Sequence, residues 1–379
     1  MRLASVEVIP YALPFKEPYV SANGTLTERE MVLLRVRDEE GRIGLGEAVP
    51  LSLRGGVTIE RVVEDLRRLG DGEVLDRALA RLDEEDGFDP EGDRFDGDEE
   101  LSLPARCAVQ TALMDLVERR QADPPPPEPR IGPTVAVVGY RHDPGPVPCN
   151  ATLVAGEPSA VAEDALRWRE EGFETFKVKV GVGEDVARVQ ALREAVGAEC
   201  SIRVDANAAW SVEEAKAILA ELEPFRIELV EQPVWRLEEA ARLAWETTIP
   251  LAGDESIVNR EDAELAARLG AYRLAGIKLS KVGGIAEGWV ISAWLHSWVS
   301  SALDGPVGIA AGVRLAQRIH YEGFNPYAPR LAHGLATQRL FATTIASCEC
   351  EVRDGWIHAA EGPGLGIEID EEALQAHRL

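Results

Sequence analysis

The chain has 379 residues, 45% of them hydrophobic, and its 66 acidic side chains against 40 basic ones give a formal net charge of −26. That length allows two domains, or one large barrel with a smaller attachment. So acidic a surface repels nucleic acid and anionic membranes, and no apolar run approaches the roughly 20 residues of a membrane-crossing helix. The N-terminal MRLASVEVIPYALPF alternates like a strand and lacks the long apolar stretch of a signal peptide, which predicts a cytoplasmic protein. Ser5–Pro10 and Met31–Arg37 read as strands, and GRIGLGEA (41–48) as a third with turn glycines. Ile59–Leu69 and Ala105–Arg119 carry helical spacing. DEEDGFDPEGDRFDGDEE (83–100) lacks the residue order of a calcium loop and reads as a solvated acidic insertion. PPPPEP (124–129) is a stiff spacer and marks a boundary, with residues 1–130 forming an α+β unit.

From Val147 the rhythm becomes strand, helix, strand, helix. Strands are predicted in VPCNATLV, FETFKVKV, CSIRVDA, RIELVEQ, IPLAGDE, YRLAGIKLS and SWVSSAL, with amphipathic helical segments between them. About seven such units in a row favour a closed (β/α) barrel over an open sheet. The barrel is expected over 147–340, although no segment declares itself as an eighth strand. Neither GxGxxG nor a Walker pattern follows any strand, which counts against a nucleotide fold. Trp289, Trp294 and Trp298 read as core or interface packing. Cys107, Cys149, Cys200, Cys348 and Cys350 have no zinc-type spacing and read as reduced thiols.

In a barrel, reactive side chains sit at the C-terminal ends of strands. Here three consecutive strands end in Asp205-Ala206-Asn207, Glu231-Gln232-Pro233 and Asp254-Glu255-Ser256. One terminal acid would read as a helix N-cap; three in register crowd carboxylates that repel unless they share a cation. A hard divalent ion with oxygen ligands, Mg²⁺ with Mn²⁺ as a substitute, answers that. The lysines point the same way. The chain has six, and four of them fall in FKVKVG (176–181) and GIKLSKVGG (276–284). Residues two apart on a strand share a face, so Lys177 and Lys179 both enter the barrel. Lys278 lies on the sixth strand, with the three acid-bearing strands between. Amines across a cation suit removal of a proton next to a carboxylate, through an enediolate. Lys281 falls past the strand end and reads as structural. Away from this rim lysine is nearly absent. Carboxylate excess with lysine depletion suits concentrated salt; a GC-rich genome would explain the arginines but not the carboxylates.

KVK (177–179), DAN (205–207), EQP (231–233), GDES (253–256) and IKLSKVGG (277–284), in this order and spacing, resemble the enolase superfamily, specifically its muconate-lactonizing branch. The resemblance covers nearly the whole chain. It implies a modified TIM barrel, (β/α)7β, with an α+β capping domain formed by the N-terminal region and the C-terminal tail. Residues 341–379, through GPGLGIEID (362–370), would return to that cap. By the same resemblance Asp205, Glu231 and Asp254 bind Mg²⁺, Lys179 is the base on one face, and Lys177 tunes it. Lys278 is the opposing acid, base or stabilising cation, and Asn207 and Glu255 support the site.

The branch includes o-succinylbenzoate synthases, N-acylamino acid racemases, dipeptide epimerases and cycloisomerases. SSALDGPVGIAAG (300–312) and LAHGLATQRLF (331–341) resemble o-succinylbenzoate synthases, with Ser301 facing substrate. Dipeptide epimerases typically carry an Asp-x-Asp where this chain has Ala332-His333-Gly334-Leu335. Arg29, in SANGTLTERE (21–30), either meets a substrate carboxylate or stays a surface residue. The implied partner is a small-molecule carboxylate, with no nucleic acid or membrane, and homo-oligomerisation is left open. The first expectation is a lyase of menaquinone biosynthesis. Its rivals are racemisation or epimerisation, a muconate-type cycloisomerase, a Schiff-base aldolase barrel and a non-enzymatic binding protein.

Overall fold

The structure, a computed structural model, describes residues 2–21, 24–51, 56–69, 75–77, 79, 100–122, 145–323 and 329–379. The acidic insertion (Glu100 apart) and the proline spacer lie outside these residues. The chain opens with an antiparallel sheet in the order β1 (Leu3–Ser21), β2 (Gly24–Asp38), β3 (Ile43–Ala48). β1 is far longer than the Ser5–Pro10 expected from sequence and runs through Pro10, Pro14 and Pro18. β1 is an edge strand of its sheet, where a missing N–H is tolerated, and the register shifts between Pro14 and Tyr19.

β2 buries both of its faces. Val32, Leu34 and Val36 pack with Leu66, Ala108 and Ala112, whereas Met31 and Leu33 join the larger core that includes the barrel. Alternation along a strand makes this possible: one face meets the helices Ile59–Arg68 and Leu103–Gln121, and the other meets the barrel. Gly46 lets the second helix approach, since a Cβ there would lie 1.9 Å from the Ala108 carbonyl oxygen.

The barrel strands are β5 (Asn150–Leu153), β6 (Thr175–Lys179), β7 (Ser201–Asp205), β8 (Leu229–Glu231), β9 (Leu251–Gly253), β10 (Leu274–Ile277) and β11 (His296–Val299). They form one parallel sheet in sequential order. The eighth staff of the barrel is only a few residues long. Asn150 N–H donates to the His333 carbonyl (2.9 Å) on one side, and Gly334 N–H donates to the Val299 carbonyl (2.8 Å) on the other. A segment this short carries no periodicity, so sequence could not disclose it. His333 Nδ1 also accepts from Val299 N–H at 3.0 Å, so this histidine straps the closure rather than facing a ligand.

Beneath the barrel, β4 (Val147–Pro148) pairs with the hairpin of strands Glu351–Arg353 and Trp356–His358. The chain then runs back to the first sheet: Phe341 stacks on Phe15 (4.8 Å between centroids), and Leu379 N–H reaches the Pro10 carbonyl at 3.1 Å. Trp298 is fully buried with the Arg203 guanidinium 5.2 Å from its ring, and Arg318 lies 3.9 Å over Trp289. Trp294 is substantially exposed.

Candidate active site

Strand register sets the site. Lys179 pairs with Asp205 and Asp205 with Glu231, so three neighbouring strands end at one height, and Asp254 follows β9 directly. All three carboxylates are inaccessible to solvent. After each of the first two acids the chain turns sharply. Asn207 (φ 46°), Ala208 (φ 58°) and Gln232 (φ 40°) adopt left-handed backbone, a strained state that the surrounding contacts must hold. Gln232 explains part of that hold: its carboxamide oxygen accepts from Asp254 N–H (2.8 Å), Ser256 N–H (3.1 Å) and Ser256 Oγ (3.0 Å).

Four amines converge on these acids. Lys177 Nζ donates to both oxygens of Glu231 (2.8 and 2.7 Å) and lies 2.8 Å from Asp205 Oδ2. Lys179 Nζ donates to Asp205 Oδ2 (2.7 Å) and Asn207 Oδ1 (2.8 Å). Asn207 in turn donates to Glu255 Oε1 at 3.1 Å, linking the third loop to the fifth. Lys278 donates to Asp254 Oδ2, and Lys281 to Asp254 Oδ1 at 2.7 Å. Burial pulls the Lys177 ammonium down, but Asp205, Glu231 and Asp254 outweigh it and hold it well above the ordinary lysine range. Lys179 is also raised, with Asp205 overcoming burial. Lys281 goes the other way, because burial lowers it and Asp254 offsets this only in part. Burial would raise Asp205, yet Lys177, Lys179 and Lys278 hold it low; Glu231 is pushed up by burial and by Asp205.

Above this floor lies a cavity of about 230 Å³. Arg29, Lys177, Lys179, Lys278 and Lys281 supply its cations, and among the described residues lining it Glu255 alone is acidic. Ser300, Ser301, Ala302 and Leu303 form one wall, and Leu51, Val258 and Trp235 stand with them as apolar lining. Arg29 proves buried, 5% exposed, rather than a surface residue. Its Nη2 donates to the carbonyls of Pro50 (2.6 Å) and Ala302 (3.0 Å), and its Nε has no partner. Ser301 lines the cavity while its hydroxyl donates to Asp304 Oδ2 at 2.7 Å.

Asp205, Glu231 and Asp254 are buried oxygen donors on adjacent strands, the donor chemistry that suits Mg²⁺. Among the described residues, however, no group of three or more His, Cys, Asp or Glu side chains is gathered at metal-ligand spacing; the carboxylates are bonded to amines instead. The fit to a metal is therefore one of donor type and position along the strands.

Nine of the ten site residues nominated from sequence, namely Lys177, Lys179, Lys278, Asp205, Glu231, Asp254, Asn207, Glu255 and Ser301, lie at the C-terminal ends of barrel strands or just past them, and Arg29 reaches the same cavity from β2. Sequence reasoning set Lys281 aside. It does lie past the strand end, in the short helix Leu279–Val282, but its amine reaches back to Asp254 and the cavity. The signal was available: Lys281 is one of only six lysines and sits three residues after Lys278. Trp235 and Thr152 also line the cavity, and neither carried a sequence signal.

Residues 160–373 match the enolase C-terminal domain-like family. The chain is 29% identical over 332 residues to a hydrophobic dipeptide epimerase of Enterococcus faecalis, covering 83% of this chain and 87% of that one. It is 37% identical over 242 residues to the o-succinylbenzoate synthase of Thermobifida fusca, covering 61% and 73%. The crystal structure of the Enterococcus faecalis dipeptide epimerase complexed with Mg and the dipeptide L-Leu-L-Tyr superposes with a TM-score of 0.80 at 26% identity, covering 97% of this chain and 100% of that one.

Proposed function

This chain belongs to the enolase superfamily, and within it we propose that it is an o-succinylbenzoate synthase, dehydrating 2-succinyl-6-hydroxy-2,4-cyclohexadiene-1-carboxylate in menaquinone biosynthesis. The observation that carries this reading is the charge of the cavity lining, which among the described residues sets five cations against the carboxylate of Glu255. Asp304, the acid nearest the Ser300–Leu303 wall, is turned back onto Ser301 Oγ and the Ala302 N–H, both at 2.7 Å. A substrate with two carboxylates and no amine suits this lining; a free ammonium finds no acid on that wall.

Asp205, Glu231 and Asp254 would hold the divalent ion, which when bound supplies Lewis acidity toward the carboxylate beside the reacting carbon. Lys179 takes the proton from that carbon as the free amine, a state it can reach only when Asp205 lets go of the ion pair that raises it. The electron pair of the broken C–H bond becomes a ring double bond as hydroxide leaves the neighbouring carbon, and the proton departs with it as water. Lys177, fixed between Glu231 and Asp205, sets the field around Lys179. Lys278, four strands from Lys179 around the barrel with the three acid-bearing strands between, stabilises the anion by its charge. Arg29, with a buried Nε in need of an acceptor, takes the second carboxylate.

A second reading has support from the same lining. N-succinylamino acids also carry two carboxylates and no free α-amine, and the chain is 26% identical over 388 residues to an N-succinyl-L-Arg/Lys racemase of Bacillus cereus. In that reaction Lys278 must exchange a proton. One experiment separates the two. The protein with Mg²⁺ is offered the cyclohexadiene substrate and, separately, both enantiomers of an N-succinylamino acid in deuterium oxide. Conversion of the first to an aromatic product is expected. Rapid α-deuterium exchange with racemisation, and no dehydration, would replace the synthase with the racemase.

A further inference from the structure

The cavity wall Ser300–Leu303 does not hold its own shape. Leu303 has φ 67°, in the left-handed region that glycine enters freely and a branched apolar residue does not. Such a conformation persists only where its surroundings over-determine it. Three anchors do so. Asp304 Oδ2 accepts from Ser301 Oγ and Ala302 N–H, Arg29 Nη2 donates to the Ala302 carbonyl, and Glu47 Oε1 accepts from Gly305 N–H at 2.7 Å. Arg29 and Glu47 belong not to the barrel but to strands β2 and β3 of the N-terminal sheet.

Glu47 is the least expected of these anchors. It is 2% exposed, and its second oxygen accepts from the Tyr11 hydroxyl at 2.8 Å. The barrel side is shaped to receive it: a Cβ at Gly305 would lie 2.3 Å from the Tyr11 hydroxyl and 2.7 Å from Glu47 Oε2. Gly305 directly precedes the helix Pro306–Glu322 and follows the wall by two residues. Glu47 itself does not line the cavity.

We propose that Glu47 is a positioning residue for substrate: by gripping Gly305 it fixes the Ser300–Leu303 wall against the lysine floor, so that the N-terminal sheet sets affinity at the seventh strand. This rests on reading the cavity as the substrate site. A wall that orients substrate acts on binding, whereas the lysines and carboxylates of the floor act on the proton.

The test is steady-state kinetics of the full chain with Mg²⁺, on whichever of the two substrates above the wild type turns over, alongside melting temperatures. Glu47→Ala is expected to raise KM by about tenfold or more and leave kcat within about threefold. Glu47→Gln, whose amide oxygen still accepts from Gly305, should restore most of the KM. Tyr11→Phe, which removes only the other contact, should leave KM within about twofold. A lowered melting temperature with unchanged KM in Glu47→Ala would overturn the proposal, as would a fall in kcat alone. Should Glu47→Ala not fold, Glu47→Asp, one methylene shorter, carries the same expectation of raised KM, and an unchanged KM there is equally decisive. The reading of the site fails separately, if the wild type turns over neither substrate. The variants are then ranked by calorimetric binding of o-succinylbenzoate, and no binding to the wild type would end both.

Discussion

Lys177 and Glu231, 54 residues apart in sequence, share two hydrogen bonds of 2.8 and 2.7 Å inside the barrel. Lys179, one side-chain step further along the same strand, touches Asp205 and Asn207 and no oxygen of Glu231. The two lysines therefore differ in kind: one is locked into an ion pair on both carboxylate oxygens, and the other sits at the rim. Arginine can keep an ion pair but cannot release its proton to act as a base. Lys177→Arg should keep a measurable fraction of turnover, and Lys179→Arg almost none, when both are assayed at equal folded concentration. The reverse ranking would exchange the two roles.

Lys281 holds Asp254 by its side chain at 2.7 Å and also donates to the Asp254 carbonyl. Leaving a buried charge with no partner costs about 3–5 kcal/mol; without Lys281, Asp254 keeps Lys278 as its remaining cation, so the loss is a share of that. Lys281→Met should therefore melt below wild type in a chelator. A divalent ion on Asp254 replaces the lost positive charge, so added Mg²⁺ should raise the melting temperature of the variant more than that of the wild type. Equal increments would mean that Asp254 takes no part in metal binding.

The strand-end acids, Lys179 and Lys278 were legible because each lies within one residue of a strand end, and Lys177 because it precedes Lys179 by two, where period two fixes the facing. The rest depended on what folding brings together. That Lys281 reaches Asp254 was not legible, because its amine doubles back from a helix, which no strand periodicity describes. Ala332–Gly334 closes the barrel with too few residues to alternate. The prolines of β1 are acceptable because β1 is an edge of its sheet, met on its far side, among the described residues, by isolated bridges such as Phe15 with Phe341 rather than by a strand, and edge position is a property of the sheet. Glu47 and Gly305 are separated by 258 residues, so their bond has no local trace at all.

The charge of −26 predicts a response to salt. Like charges at this density strain the compact state, and molar salt shortens their reach to about 3 Å. The melting temperature should climb by on the order of 5 °C or more between about 0.1 M and about 2 M KCl, read by calorimetry. An equal osmolality of a neutral solute should not reproduce the climb. A flat response to salt would leave genome composition as the account of the lysine depletion.

Glu47 predicts a pH dependence of stability with a definite sign. Burial, and then Asp304, push its carboxyl up to about 7, against the hydrogen bonds from Tyr11 and Gly305 that pull it down. The native chain thus keeps a proton that the unfolded chain releases near pH ~4.3. That contribution to stability is complete below about pH 4 and is lost as pH rises toward about 7, amounting to on the order of 3 kcal/mol. Glu47→Gln has no proton to lose. Measured by urea denaturation, the stability of this variant relative to wild type should therefore improve by roughly 2–3 kcal/mol between about pH 5 and about pH 8. A difference that stays constant would mean the carboxylate is ionised throughout, and the grip on Gly305 would then be that of a charged acceptor.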